Sequence, residues 1–114
     1  MFKRLFKKRK RKLTKLETIQ KFELFELFDD LEQAAKILSQ LSGGDSGEFQ
    51  SAEEFYEVFV EEINDLEYQN VPDFSHICLW FAATSVWDDL TGKDYIELGN
   101  RIYERAHKWN KVHY

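Results

Sequence analysis

Residues 51–68, SAEEFYEVFVEEINDLEY, decide the fold. Phe55, Phe59, Ile63 and Leu66 recur at steps of four, four and three, the spacing of one helical face. Glu54, Glu57, Glu61 and Asp65 recur on the opposite face. Ser51 stands three residues before Glu54, the capping-box pattern in which a hydroxyl and a carboxylate satisfy free backbone N–H groups. The stretch predicts an amphipathic helix over 52–68.

Working outward, the same two signals recur. Thr14 and Glu17 form another capping-box pair, predicting a helix over 15–41 with Leu24, Leu27, Phe28, Leu31, Ala35 and Leu38 inward. Glu23, Glu26, Asp29 and Asp30 are placed on its other side. The run SGGDSG, 42–47, ends that helix. Downstream, Asp73 after Pro72 is a candidate N-cap. Residues 74–90 are read as a third, central helix because Ile77-Cys-Leu-Trp-Phe-Ala-Ala83 is apolar on every side. Gly92 suits a helix stop. Asp94 and Glu97 have the form of a further capping box, predicting a last helix over 95–111 with Tyr95, Leu98, Ile102, Ala106 and Trp109 inward. The expected fold is all-α, a four-helix up-down bundle over 14–114 preceded by a basic arm, 1–13, read as flexible or as an amphipathic helix.

The chain has 114 residues and 43% apolar content, enough for one domain with a core. No apolar run is long enough to span a bilayer. A single cysteine, Cys78, excludes an intrachain disulfide and suits a reducing compartment. The basic start lacks the apolar stretch of a secretory signal, so the expected location is the cytoplasm or the inner face of its membrane.

The net charge of −5 hides two regions of opposite sign. Residues 1–15 hold nine Lys or Arg and no acid; the other 99 carry seven bases and all 21 acids, a formal −14. Between Ile37 and Trp87 there is no Lys or Arg. Such a division marks an interaction tail on an oppositely charged body.

Two charges fall inside apolar stripes: Glu62 and Arg105. Each needs a partner or a route to water. The expectation taken forward is a structural ion pair between them across the bundle, with snorkelling at the stripe edge as the other outcome.

No motif names a reaction, and the chain is read as non-enzymatic, with no cofactor. Glu104–His107 and Asp73–His76 have the E/D-x-x-H spacing of di-metal bundles, but His107 is turned away from the predicted core and Asp73 is better used as a cap, so no metal site is expected. Cys78 sits in an apolar run that raises a thiol pKa. Ser75, His76 and Asp73 are neighbours in sequence, which is no argument for attack geometry.

Two binding readings remain. In the first, the chain is a small acidic protein that covers a basic protein partner, as an immunity-type inhibitor does. Glu54, Glu57, Glu61 and Asp65 with Trp87, Asp88 and Asp89 form the contact surface, and Tyr56 and Tyr68 are aromatic anchors. In the alternative, the arm tethers the protein to anionic lipid or nucleic-acid phosphates through Phe2, Lys3, Arg4, Phe6, Lys7, Lys8, Arg9, Lys10, Arg11 and Lys12, without reading nucleic-acid sequence. The arm folding onto the chain's own acidic face, or onto a neighbour's, is the third outcome.

Overall fold

The computed structural model describes residues 14–114. The basic arm, with the lipid or phosphate contacts expected of Phe2 to Lys12, lies outside the described residues. The described chain is all-helical, without a strand. Its elements are α1 (Lys15–Leu38), α2 (Ala52–Tyr68), α3 (Ser75–Phe81), α4 (Val86–Thr91), a 3-10 turn over Gly92–Tyr95, and α5 (Ile96–His113).

Both expected starts are built by their caps. At α1 the Thr14 hydroxyl accepts from the Glu17 N–H at 3.0 Å, and the Glu17 carboxylate accepts from the Thr14 N–H at 2.9 Å. At α2 the Ser51 hydroxyl accepts from the Glu54 N–H at 3.1 Å, while the Glu54 carboxylate reaches the N–H of Gln50 at 2.7 Å. The second box is therefore displaced by one residue. α1 ends three residues before the expected Leu41, because the N–H groups of Gln40 and Leu41 bond three residues back, to Ile37 and Leu38, and tighten the last turn. The following loop takes positive φ at Gly43 and Gly44. It is tied to α2 by the Ala52 N–H on the Gly43 carbonyl at 2.7 Å and by the Gly43 N–H on the Glu53 carboxylate at 2.9 Å. That second bond holds the Glu53 carboxyl below its ordinary pKa.

The expected central helix over 74–90 does not form as one piece. The chain leaves the helix at Ala82, which is extended, and passes through Thr84 at φ +58° before α4 begins at Val86. The break has a packing reason. In one continuous helix Phe81 and Val86 would point about 140° apart. In the broken chain both are buried, together with Trp80 and Trp87. The corner is fixed by the Ser85 hydroxyl on the Leu79 carbonyl at 2.9 Å and the Thr84 N–H on the Asp88 carboxylate at 2.8 Å. Leu79 stays 59% exposed and Cys78 half-buried, so the run is not buried on every side.

The apolar faces of all these helices meet in one core. Leu27, Leu31, Leu38, Phe55, Phe59, Leu66, Phe74, Ile77, Phe81, Trp87 and Ile102 are essentially fully buried. Each such side chain stabilises the fold by ~1.5–3 kcal/mol relative to exposure. The centre is aromatic: Phe55 and Trp80 meet edge to face with centroids 5.3 Å apart, and Phe81 stacks on Trp87 at 5.1 Å. α5 reaches Trp87 because residue 99 is glycine. A Cβ there would lie 2.4 Å from Trp87 Cδ1. The expected capping box of Asp94 and Glu97 is absent; Asp94 lies in the 3-10 turn, and α5 starts at Ile96 without a side-chain cap.

The end of α5 grips the turn before α3. Trp109 Nε1 donates to the Pro72 carbonyl at 2.8 Å. Asn110 accepts from the Phe74 N–H at 2.9 Å and donates to Asp73 at 3.1 Å. The Tyr114 hydroxyl donates to the Val71 carbonyl. Asp73 also accepts from the N–H and the hydroxyl of Ser75, at 3.0 and 2.6 Å. Led by the Ser75 hydroxyl, these bonds lower the Asp73 pKa.

Candidate functional site

The distribution of charge is decided along the seam between α1 and α5. Asp30 is 3% exposed, contrary to the expectation that it faces water. It accepts from Arg101 Nε and Nη2, both at 3.0 Å, and from Arg105 Nη1 at 2.9 Å. The ladder continues with Arg105 to Glu26 at 3.1 Å and Lys108 to Glu23 at 2.8 Å. Rising numbers on α1 pair with falling numbers on α5, so the two helices run antiparallel. The Asp30 hydrogen bonds push the Arg101 pKa up.

This seam corrects the expected ion pair. Arg105 is indeed set inward, but its partners are Asp30 and Glu26, not Glu62. Glu62 faces α3 and takes His76 Nδ1 at 3.1 Å. The His76 ring stacks on Trp80 with centroids 5.6 Å apart. The sequence carried a signal for the true pairing. Glu23, Glu26 and Asp30 are spaced three and four, while Arg101, Arg105 and Lys108 are spaced four and three, which is the mirrored spacing that antiparallel neighbours require.

The seam spends three of the body's bases on α1. On α2, Glu54, Glu57, Glu61 and Asp65 are all exposed. Glu57, Glu61 and Asp65 make no ion pair with another described residue. Tyr68, at the end of the same helix, is 91% exposed, and Tyr56 is half-buried.

Trp87 does not belong to this surface. It is fully buried, and its Nε1 donates to the Tyr95 carbonyl at 3.0 Å. The indole is a core residue because α5 closes over it at Gly99. Asp88 and Asp89 do not end a helix; they sit in the first turn of α4. Acids are favoured there by the helix dipole. Asp88 is engaged by Thr84, and Asp89 remains exposed.

The residues with catalytic or metal-ligand spacing have other uses. Asp73 closes the turn before α3. His107 is exposed and stacks on Tyr103 at 5.6 Å. Burial, then the Asp73 charge, pushes the Cys78 thiol up, which favours thiol over thiolate. Among the described residues no three of His, Cys, Asp and Glu are grouped as a metal site.

One cavity was not legible in the sequence. It lies between the first turns of α1 and the last turns of α5, with a volume of about 360 Å³. Leu16, Ile19, Leu24, Leu27, Trp109 and Val112 line it, and the Glu23–Lys108 pair stands beside them. Among the described residues no helix is long and apolar enough to cross a membrane.

No protein-family model, no curated protein and no solved structure matches this chain.

Proposed function

We propose that the chain is a non-enzymatic acidic binding protein that covers a basic protein partner through α2, and that its most concrete form is an immunity-type inhibitor acting in the cytoplasm. The observation that supports this reading is the exposed row of Glu54, Glu57, Glu61 and Asp65, set in a stretch, 37–87, without one Lys or Arg. Asp89 on α4 is a further exposed acid, and Tyr68 is the aromatic anchor. Three of the four bases of α5, Arg101, Arg105 and Lys108, pair with α1, and among the described residues Glu57, Glu61 and Asp65 have no ion-pair partner. An anionic face of this kind accelerates encounter with a cationic protein and repels acidic competitors. In architecture we read the body as an up-down bundle, supported by the antiparallel α1–α5 seam. The alternative, a tether to anionic lipid or phosphates, rests on residues 1–13.

The test is a titration of the immobilised full chain, and of residues 14–114, with purified basic proteins, nucleases included. Binding is expected to weaken with salt, to survive removal of residues 1–13, and to fall about tenfold or more with Glu57→Lys and Glu61→Lys together. Binding that needs residues 1–13 and ignores α2 would replace this reading with the tether.

A further inference from the structure

The outward face of α1 carries a pattern that neither the core nor the seam uses. Lys15, Thr18, Phe22, Phe25, Asp29 and Glu32 follow one another at steps of three, four, three, four and three. That is the spacing of a coiled-coil a/d seam. Here it faces water: all six residues are exposed, with Phe22 at 61% and Phe25 at 71%. The helix's buried side, with Leu27, Asp30, Leu31 and Ala34, points the other way, into the core and toward α5.

The charges on this outward row are self-complementary. A two-fold axis across α1 between residues 23 and 24 places Phe22 opposite Phe25 of a second copy. The same axis places Thr18 opposite Asp29, and Lys15 opposite Glu32. These are the a-to-d layers of an antiparallel helix pair. The opposed ends are therefore cation to anion twice, and the two phenylalanines from each copy fill the middle. A parallel pairing would set Lys15 against Lys15 and Glu32 against Glu32. An anionic lipid surface suits the row poorly, because Asp29 and Glu32 would be pressed against like charge.

We propose that two copies of this chain associate along the outward face of α1, antiparallel, with Phe22 of each packed on Phe25 of the other. The inference is independent of the reading of α2, which lies on another helix. The paired stretch is short, about 26 Å from residue 15 to residue 32, so the contact is small and the dimer is weak and reversible.

Sedimentation equilibrium of the full chain over roughly 1–500 µM reads this range of affinities. A concentration-dependent monomer–dimer equilibrium is expected. Phe25→Glu, at an exposed position that leaves the helical circular-dichroism signal intact, raises the dimer dissociation constant by about tenfold or more. Lys15→Glu alone weakens the dimer, and Lys15→Glu with Glu32→Lys restores it, since the swap regenerates the opposed pair. A chain that stays monomeric throughout the range overturns the proposal. So does a dimer indifferent to Phe25→Glu, which uses another surface. Uptake onto anionic vesicles that depends on Phe25, with no dimer in solution, assigns the row to lipid and overturns it as well.

Discussion

Arg101 lays its guanidinium edge along both oxygens of Asp30, with Nε and Nη2 each at 3.0 Å, and this pair joins the first helix to the last across 71 residues of chain. Asp30 is buried and Arg101 is only half so. The two partners therefore respond differently to removal. Asp30→Ala takes away an acceptor shared by two arginines and opens the seam, at an expected cost of about 2–4 kcal/mol. Arg101→Ala leaves Arg105 on the carboxylate and costs ~1 kcal/mol. Urea denaturation of the two variants checks the order. Equal costs would show that Arg105 does not compensate.

Gly99 tests the packing of the core against α5. A methyl group at this position meets the Trp87 ring at 2.4 Å, backed by Phe81. Gly99→Ala cannot be absorbed by a flexible side chain, and is expected to cost ~2–3 kcal/mol although alanine is the better helix former. The indole also loses its bond to the Tyr95 carbonyl. A changed tryptophan emission spectrum alongside the stability loss is the expected result.

The Asp73 cluster sets an acid limit. Its carboxyl is lowered from the ordinary value by the Ser75 hydroxyl and, more weakly, by Asn110. A carboxylate with a depressed folded pKa contributes stability that is complete above the unfolded value, near pH 4. That contribution is lost as the pH falls through the depressed folded value. Asp73→Ala is therefore expected to flatten the stability–pH curve below about pH 4 and to change its shape little between pH 6 and pH 8. Asn110→Ala removes the Phe74 N–H acceptor as well, and is expected to cost ~1–2 kcal/mol at neutral pH.

The α2 row makes a prediction about stability that bears on function. Glu54, Glu57, Glu61 and Asp65 repel one another at helical spacing. Glu61→Lys is expected to stabilise the fold by a few tenths of a kcal/mol at low salt, with the gain fading toward about 1 M. A loss of stability would mean that a cation already sits against the row.

What the sequence disclosed follows from how local each signal is. The caps at Thr14 and Ser51 and the stripe Phe55, Phe59, Ile63 and Leu66 need only neighbours within a turn or two, and they were legible. The burial of Asp30 is not legible locally, because it lies to the side of the α1 apolar stripe and what covers that side is α5, 71 residues on. The break in the third helix is not legible because a continuous apolar run carries no phase; Thr84 at positive φ is set by where Phe81 and Trp87 must go, not by its own preference. In sequence Trp87 reads as surface because the two aspartates after it are polar. Its burial depends on the missing side chain of Gly99.

Binding of a basic partner through α2 requires that the α2 face be open. Amide spectra of the full chain and of residues 14–114 compare that face directly. The predicted result is that the resonances of Glu54 to Asp65 coincide in the two, and move only when a basic protein is added. Shifts along α2 on removing residues 1–13, reversed by adding them back as a peptide, would show the face occupied by the chain's own cationic start and would contradict the account.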